Sequence, residues 1–204
     1  YTHGSLAPRR ENGRQTGENV MITPNLLRGE QVRLTAPTSA DLSTITSWWA
    51  DPDFLRLYNT APAAPRNEDQ LGRRFDFSHT SPDTYLFAIR PLDDETLLGL
   101  LEFDGIDWSN RTTFVSIGIG AAEHRGRGYG ADAMRVALRF AFSELNLHRV
   151  CLTVFSYNEP AIALYERLGF VREGAYREHI ERDGQHYDMI LYGLLRREWE
   201  SNRL

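Results

Sequence analysis

Cysteine is nearly absent from this chain. Cys151 stands alone, so no intramolecular disulfide framework can form, and in its β-like run it reads as a small buried hydrophobe. Long apolar runs are missing as well. No stretch approaches the roughly eighteen residues of a membrane helix, and the segment between Tyr1 and Val20 lacks the apolar core of a signal peptide. The six histidines are scattered, without cysteine partners at ligand spacing, which gives no sign of a structural zinc site, so no metal is expected. A large charge of either sign is also wanting. The net charge of -5 argues against nucleic acid as a bulk partner and suits a cationic acceptor, or solubility alone.

What is present suffices for one compact domain: 204 residues, 41% of them hydrophobic and 25% charged. Residues 1–28 are read as an N-terminal extension or leader, polar and aperiodic at first, with Met21 as a candidate natural start. Residues 29–204 are read as a single domain, without internal repeat or linker. A cytoplasmic location without membrane association is the expectation.

The chain is organised around one stretch. An apolar run, Val115-Ser116-Ile117-Gly118-Ile119, is followed by His124-Arg125-Gly126-Arg127-Gly128-Tyr129-Gly130 and then by an amphipathic segment over 131–143. Met134, Ala137, Leu138, Ala141 and Leu145 fall at helical spacing there, with Arg135 and Arg139 off that line. Three alternating glycines suit a tight loop whose N–H groups face one way. Strand, glycine loop and helix N-terminus together make a site for anionic oxygens. It is not a Walker loop, because Tyr129-Gly130-Ala131 stands where Gly-Lys-Ser/Thr would be needed. Nor is it a dinucleotide fingerprint, because the spacing is G-x-G-x-G and the next strand, 150–155, ends without a carboxylate.

A second string lies beyond that strand: Asn158-Glu159-Pro160-Ala161-Ile162-Ala163-Leu164-Tyr165-Glu166-Arg167-Leu168-Gly169-Phe170. Asn158 is a good N-cap, Pro160 fits a first helical turn, and Gly169 ends the helix. Ala161, Leu164, Tyr165 and Leu168 form one face. Elsewhere, 31–35 alternates as a strand, and Thr38 or Ser39 can cap a helix through Trp48 that Asp51-Pro52 breaks. Asn67 is expected to cap a short helix through Phe77. Further strands are expected over 84–89, 96–103, 111–119, 148–155, 171–180 and 186–194, with Arg182-Asp183-Gly184 as a hairpin turn.

The Arg-x-x-Gly-x-Gly pattern of Arg125, Gly128 and Gly130 resembles the pyrophosphate loop of the GNAT superfamily of acyl-CoA N-acetyltransferases. The Asn158 to Phe170 string resembles that superfamily's Asn-x-x-Ala-x-x-x-Tyr-x-x-x-Gly-Phe signature at every defined position. Gly29, Val32, Arg33, Leu34, Asp41, Trp49, Asp51-Pro52 and Arg56, with Glu198-Trp199 at the end, are similar to the subgroup of ribosomal-protein N-terminal and spermidine acetyltransferases. The resemblance covers roughly 29–199. It implies an α/β (α+β) GNAT fold: a mixed, mostly antiparallel twisted sheet of six or seven strands, flanked by helices and splayed at a central parallel pair.

The resemblance also implies acetyl-CoA as co-substrate and direct acetyl transfer to a primary amine, which could be a protein N-terminus, a polyamine or a small amine. Ile117, Gly118 and Ile119 would pair with the pantetheine arm. Arg125, Gly126, Arg127, Gly128, Tyr129 and Gly130 would hold the pyrophosphate, with Asn158 also at the cofactor; Arg125 and Arg127 could instead be surface cations. Tyr165 would be the acid toward the departing sulfur, against the alternative of a core tyrosine. Glu102, in an otherwise apolar strand, would be the base or would bind the cationic acceptor, with Asp104 and His124 behind it. Tyr187 and Asp188 would shape the acceptor end. A homodimer is compatible with this reading. The alternative function is an acyl-CoA-binding sensor or scaffold without turnover.

Overall fold

The protein's structure, a computed structural model, describes residues 25–73 and 81–202. Apolar alternation builds strands β1 (Val32–Thr35), β2 (Tyr85–Pro91), β3 (Gly99–Asp107), β4 (Thr112–Ile119), β5 (Arg149–Phe155), β6 (Val171–Arg182) and β7 (Gln185–Leu195). They form one seven-stranded sheet in the order β1-β2-β3-β4-β5-β7-β6. All neighbours are antiparallel except β4 and β5, which run parallel as their helical crossover requires.

The helices are α1 (Leu42–Trp49), α2 (Pro52–Tyr58), α3 (Tyr129–Arg139), α4 (Glu159–Arg167) and α5 (Arg196–Ser201). Side chains alternate across a strand, so each central strand feeds two cores. Phe87, Ile89, Leu101 and Phe103 meet Met134, Ala137 and Leu138 of α3 on one face. Ala88 and Leu100 meet Ile45, Trp48 and Trp49 of α1 and Phe54 of α2 on the other. The sheet is thereby covered on both sides near its centre.

Several expectations are corrected. Asp51-Pro52 ends α1 but also begins α2, which the apolar spacing alone did not reveal. The Asp51 carboxylate accepts from the Asp53 N–H at 2.9 Å, and Pro52 occupies the first helical position, where its missing N–H costs nothing. The expected helix over 131–143 begins two residues earlier and changes character after Arg139. Phe140–Glu144 is a π-turn, closed by the Leu145 N–H on the Phe140 carbonyl at 3.1 Å. The wider turn lets Phe140, Ala141 and Phe142 all be buried. Cys151 is only half-buried and accepts from Arg149 Nε at 3.0 Å, so it is not a plain core hydrophobe.

Asn67 and Gln70 exchange side-chain bonds with each other's N–H groups at 3.0 Å, starting a helical segment at 68–73. Its expected end at Phe77 lies outside the described residues, as do Met21 and residues 1–24 of the expected leader. Residues 25–28, also assigned to that leader, pack on the domain. Leu26 and Leu27 rest against the α3 core, and the Leu27 carbonyl accepts from the Leu34 N–H at 2.9 Å.

The late hairpin turns at Asp183 (φ 53°) and Gly184 (φ 73°), the left-handed pair that a two-residue hairpin favours. No helix among the described residues is long and apolar enough to cross a membrane.

Candidate active site

β4 and β5 pair only through Thr112, Thr113 and Phe114 against Arg149, Val150 and Cys151. Beyond that point β4 keeps only β3, through Ile119 against Gly99, while β5 keeps only β7, through Phe155 against Met189. The sheet opens into a cleft of about 1180 Å³ between residues 115–119 and 153–155. Both strands expose the backbone edge that pairing would otherwise have used, so an extended ligand could add its own polar groups to β4. Gly118 permits this geometry for a steric reason. A Cβ there would lie 2.7 Å from the Tyr58 ring, so only glycine lets α2 press onto β4 at this height.

The glycine loop closes one end of the cleft. Gly126 (φ 72°) and Gly128 (φ 89°) take left-handed backbone, and Gly128 is the N-cap of α3. The first bond within α3 runs from the Asp132 N–H to the Gly128 carbonyl at 3.0 Å. The N–H groups ahead of it therefore have no intrahelical acceptor, at the positive end of the helix dipole. Gly126, Gly128, Tyr129, Gly130 and Ala131 all line the cleft. Two features a Walker or dinucleotide loop would share are thus present, in a loop of different spacing.

The side chain of Arg125 lines the cleft and is engaged by nearby backbone. Its Nε donates to the Ile119 carbonyl at 3.1 Å and its Nη2 to the Gly120 carbonyl, while the guanidinium stacks 5.7 Å over Phe54. Arg125 therefore braces the loop against the end of β4 and α2. Arg127 is exposed and does not line the cleft. Besides Arg125, the cations at the rim are Arg135, in the second turn of α3, and Arg167 at the end of α4, neither of which the sequence marked as a site residue. Gln31 is a third addition: its Nε2 lies 3.0 Å from where a Gly128 Cβ would sit.

Asn158 and Tyr165 enter from α4. Asn158 caps the helix through its side chain to the Ala161 N–H at 3.4 Å and also lines the cleft, so both of its readings are compatible with its place. Tyr192 on β7 donates to Glu166 Oε1 at 2.8 Å and pins the helix. Tyr165 is buried, packed edge-on to Phe170 at 5.9 Å, and faces the cleft. Burial, and then the nearby Tyr58 phenol, push its pKa up to about 12. Its hydroxyl is a firm donor at neutral pH.

Glu102 is 8% exposed, on the β3 face that carries Leu100 toward α1 and α2. It sits opposite Ser116 on β4 and Leu86 on β2, and lines the cleft with Asp104. Asp104 is exposed and accepts from Thr84 Oγ1 at 3.3 Å. His124 lines the loop end of the cleft, edge-on to Tyr129 at 6.4 Å and with Nδ1 buried, remote in the chain from the Glu102 strand. Tyr187 and Asp188 lie in the late hairpin: Asp188 accepts from the Glu178 N–H at 2.9 Å, and Tyr187 packs on Tyr157 at 4.9 Å. Among the described residues, no group of three or more His, Cys, Asp or Glu could hold a metal ion.

Comparison with known proteins accords with this geometry. The acetyltransferase (GNAT) domain family matches residues 31–171. A putative ribosomal N-acetyltransferase of Bacillus subtilis is 33% identical over 156 residues, 68% of this chain and 85% of the relative. The [ribosomal protein uS5]-alanine N-acetyltransferase of Escherichia coli is 25% identical over 135 residues, 66% of this chain and 69% of the relative. The crystal structure of spermidine N-acetyltransferase from Vibrio cholerae in complex with CoA and spermine superposes with a TM-score of 0.76 at 26% identity, over 83% of this chain and 98% of that one. With the parted β4–β5 pair and the glycine-capped α3 in place, these matches make the chain a member of the GNAT acetyltransferase family.

Proposed function

We propose that the chain transfers the acetyl group of acetyl-CoA directly to a primary amine within the cleft between β4 and β5. The observation that carries this reading is the end of β4–β5 pairing at Phe114 and Cys151, beside a helix capped by Gly128. The free edge at Ile117, Gly118 and Ile119 suits the amide-bearing pantetheine arm. The N–H groups at the start of α3 suit a pyrophosphate. The relatives named for ribosomal protein and for spermidine acetylation support an amine acceptor.

A cationic amine first gives up one proton; the neutral nitrogen then bonds to the thioester carbonyl carbon, the C–S bond breaks, and the second proton shed by nitrogen ends on the departing sulfur, directly or by way of solvent. In this reading Glu102, a buried carboxylate lining the cleft, draws the cationic amine in and takes that first proton. At Tyr165 the elevated phenol has a consequence. A phenol raised by burial is a weaker acid than a thiol, so complete proton transfer to sulfur is unfavourable. Tyr165 therefore acts by donating a hydrogen bond to the sulfur as charge develops there. It can release its proton only as it regains one from the amine or solvent.

The test is thiol release from acetyl-CoA with a panel of primary amines, polyamines and peptides bearing free N-termini. The sequence contains no lysine, so self-acetylation is confined to the chain's own N-terminal amine and the background is small. Turnover with at least one acceptor is expected. Tight acetyl-CoA binding with no turnover across the panel would select the sensor reading, and absence of binding would end both.

A further inference from the structure

The hairpin of β6 and β7 reaches across the opening of the sheet. β7 pairs with β5 only as far as Met189, so its residues 185–188 project past the end of β5. An irregularity in β6 between Tyr176 and Ile180, with Glu178 at φ 53° and its N–H held by Asp188, bends the projection. Phe155, Ile180 and Met189 pack with Tyr157 and Tyr187 to stiffen its base.

The hairpin tip then grips the far side. Arg182 Nη2 donates to the carbonyls of Asn59 at 3.1 Å, Thr60 at 3.2 Å and, more weakly, Ala61 at 3.4 Å. Asp183 pairs with Arg56, and the Tyr157 hydroxyl donates to the Arg56 carbonyl at 2.5 Å. The gripped segment follows α2, which is seated on β4 through Gly118; the hairpin belongs to the β5–β7 side. The contact thus bridges the two sides of the cleft. Asn59 and Thr60, whose carbonyls Arg182 holds, are themselves cleft-lining residues.

We propose that Arg182 determines the girth of acceptor the cleft admits, by fixing the 59–61 segment against the hairpin as an arch over the acceptor end. This inference rests on the cleft being the site of acetyl transfer. Arg182 does not line the cleft and touches no reacting atom; it is a positioning residue acting through Asn59 and Thr60. With the arch closed, an amine enters end-on, and substituents beside its nitrogen meet the fixed segment. With the arch released, the segment can move outward and bulky amines gain access while slender ones gain nothing. An exposed ion pair alone would hold the segment weakly, so the carbonyl bonds of Arg182 are the main restraint.

The experiment measures kcat/KM at saturating acetyl-CoA for n-hexylamine against cyclohexylamine, and for short peptides beginning with Gly against Trp. Wild type, Arg182→Ala, Arg182→Lys and Asp183→Asn are compared, the last keeping a residue that tolerates the left-handed turn. Arg182→Ala is expected to raise the bulky-to-slender ratio roughly tenfold in whichever series is turned over, with acetyl-CoA affinity unchanged. Arg182→Lys, which cannot span the same carbonyls, and Asp183→Asn should shift it less, in the same direction. Hydrogen exchange at 57–62 should quicken in Arg182→Ala while 115–119 is unaffected. An unchanged ratio, or equal losses for slender and bulky acceptors, would overturn the inference; if Arg182→Ala does not fold, the acceptor ratio and the 57–62 exchange of Arg182→Lys and Asp183→Asn decide it in the same way. Wild type inert toward every acceptor would instead overturn the acetyl-transfer reading, and this inference with it.

Discussion

Asp132 and Arg139 stand two turns apart on α3 and hold opposite ends of one strap. The Asp132 carboxylate accepts from the N–H groups of Gln31 at 2.8 Å, Val32 at 3.0 Å and Glu30 at 3.2 Å. The Arg139 guanidinium donates to the carbonyls of Arg28 at 2.7 Å, Leu26 at 2.8 Å and Asn25 at 3.2 Å. The acid lies in the first turn and the base in the last, as the helix dipole favours. The strap leads directly into β1 and carries Gln31 to the glycine loop, so the same two residues secure the fold and one wall of the cleft.

Asp132 is 2% exposed, and its loss would strand three backbone donors. Asp132→Ala should cost about 2–4 kcal/mol, and Arg139→Ala, whose site is more open, about 1–2 kcal/mol. Urea denaturation measures both. Because they restrain one segment, the double variant should lose less than the sum. Losses near 0.5 kcal/mol for both would show that the strap is dispensable.

Gly128→Val tests the loop. A β-branched residue at φ 89° is strained by about 1–3 kcal/mol, and its side chain would enter the space that an anion needs. Acetyl-CoA affinity by calorimetry should fall by at least about tenfold, well beyond any loss in thermal stability. Unchanged affinity would reduce the loop to a turn.

Glu102→Gln keeps size and removes the ability to accept a proton. If Glu102 assists the amine, kcat/KM should drop at pH 7, and the deficit should shrink as pH rises and more amine is already neutral. A deficit constant with pH would assign Glu102 to acceptor binding, and no deficit would remove it from the reaction.

Tyr165→Phe makes two separate marks. In single-turnover experiments the chemical step should slow by about 10²-fold or more, with acetyl-CoA affinity little changed. In alkaline denaturation the sign follows from the raised pKa. The neutral phenol is favoured in the folded state, so its contribution is complete below pH ~10 and is lost as pH rises through about 12. Wild type should therefore lose stability over that window more steeply than Tyr165→Phe. Tyr157 and Tyr192, both also raised chiefly by burial, slope equally in the two proteins. Without lysines, no ammonium titration overlies them. Parallel alkaline curves would contradict the burial of the Tyr165 hydroxyl.

What the sequence disclosed was local. The loop from Arg125 to Gly130 and the helix from Asn158 to Gly169 are contiguous strings whose caps and glycines act within a few residues, so spacing alone carried them. The parallel course of β4 and β5 followed from connectivity, since one crossover fixes it, whereas the splay was implied by the family resemblance. The rest depends on meetings between distant segments. Gln31 reaches Gly128 only because Asp132 holds the strap, and Tyr58 approaches Tyr165 only because Gly118 admits α2. Arg125 shows a further limit: its position was legible, but the carbonyls that capture its guanidinium are exposed by the end of β4 in three dimensions. The α2 helix was missed because proline reads as a stop when it follows a helix, and only the Asp51 cap reveals it as a start.

The parted strands also divide the molecule mechanically. β1 to β4 come from the first part of the chain and β5 to β7 from the second, and the two half-sheets share only three residue pairs along their common seam. Widening the cleft strains those few pairs, the side-chain packing beneath them and the hairpin's hold on residues 59–61, while both internal ladders stay whole. A ligand lying along the seam bonds to both halves at once, so its affinity for the closed protein is returned as rigidity. Heat or denaturant should find this line first in the free protein and lose it as the ligand binds.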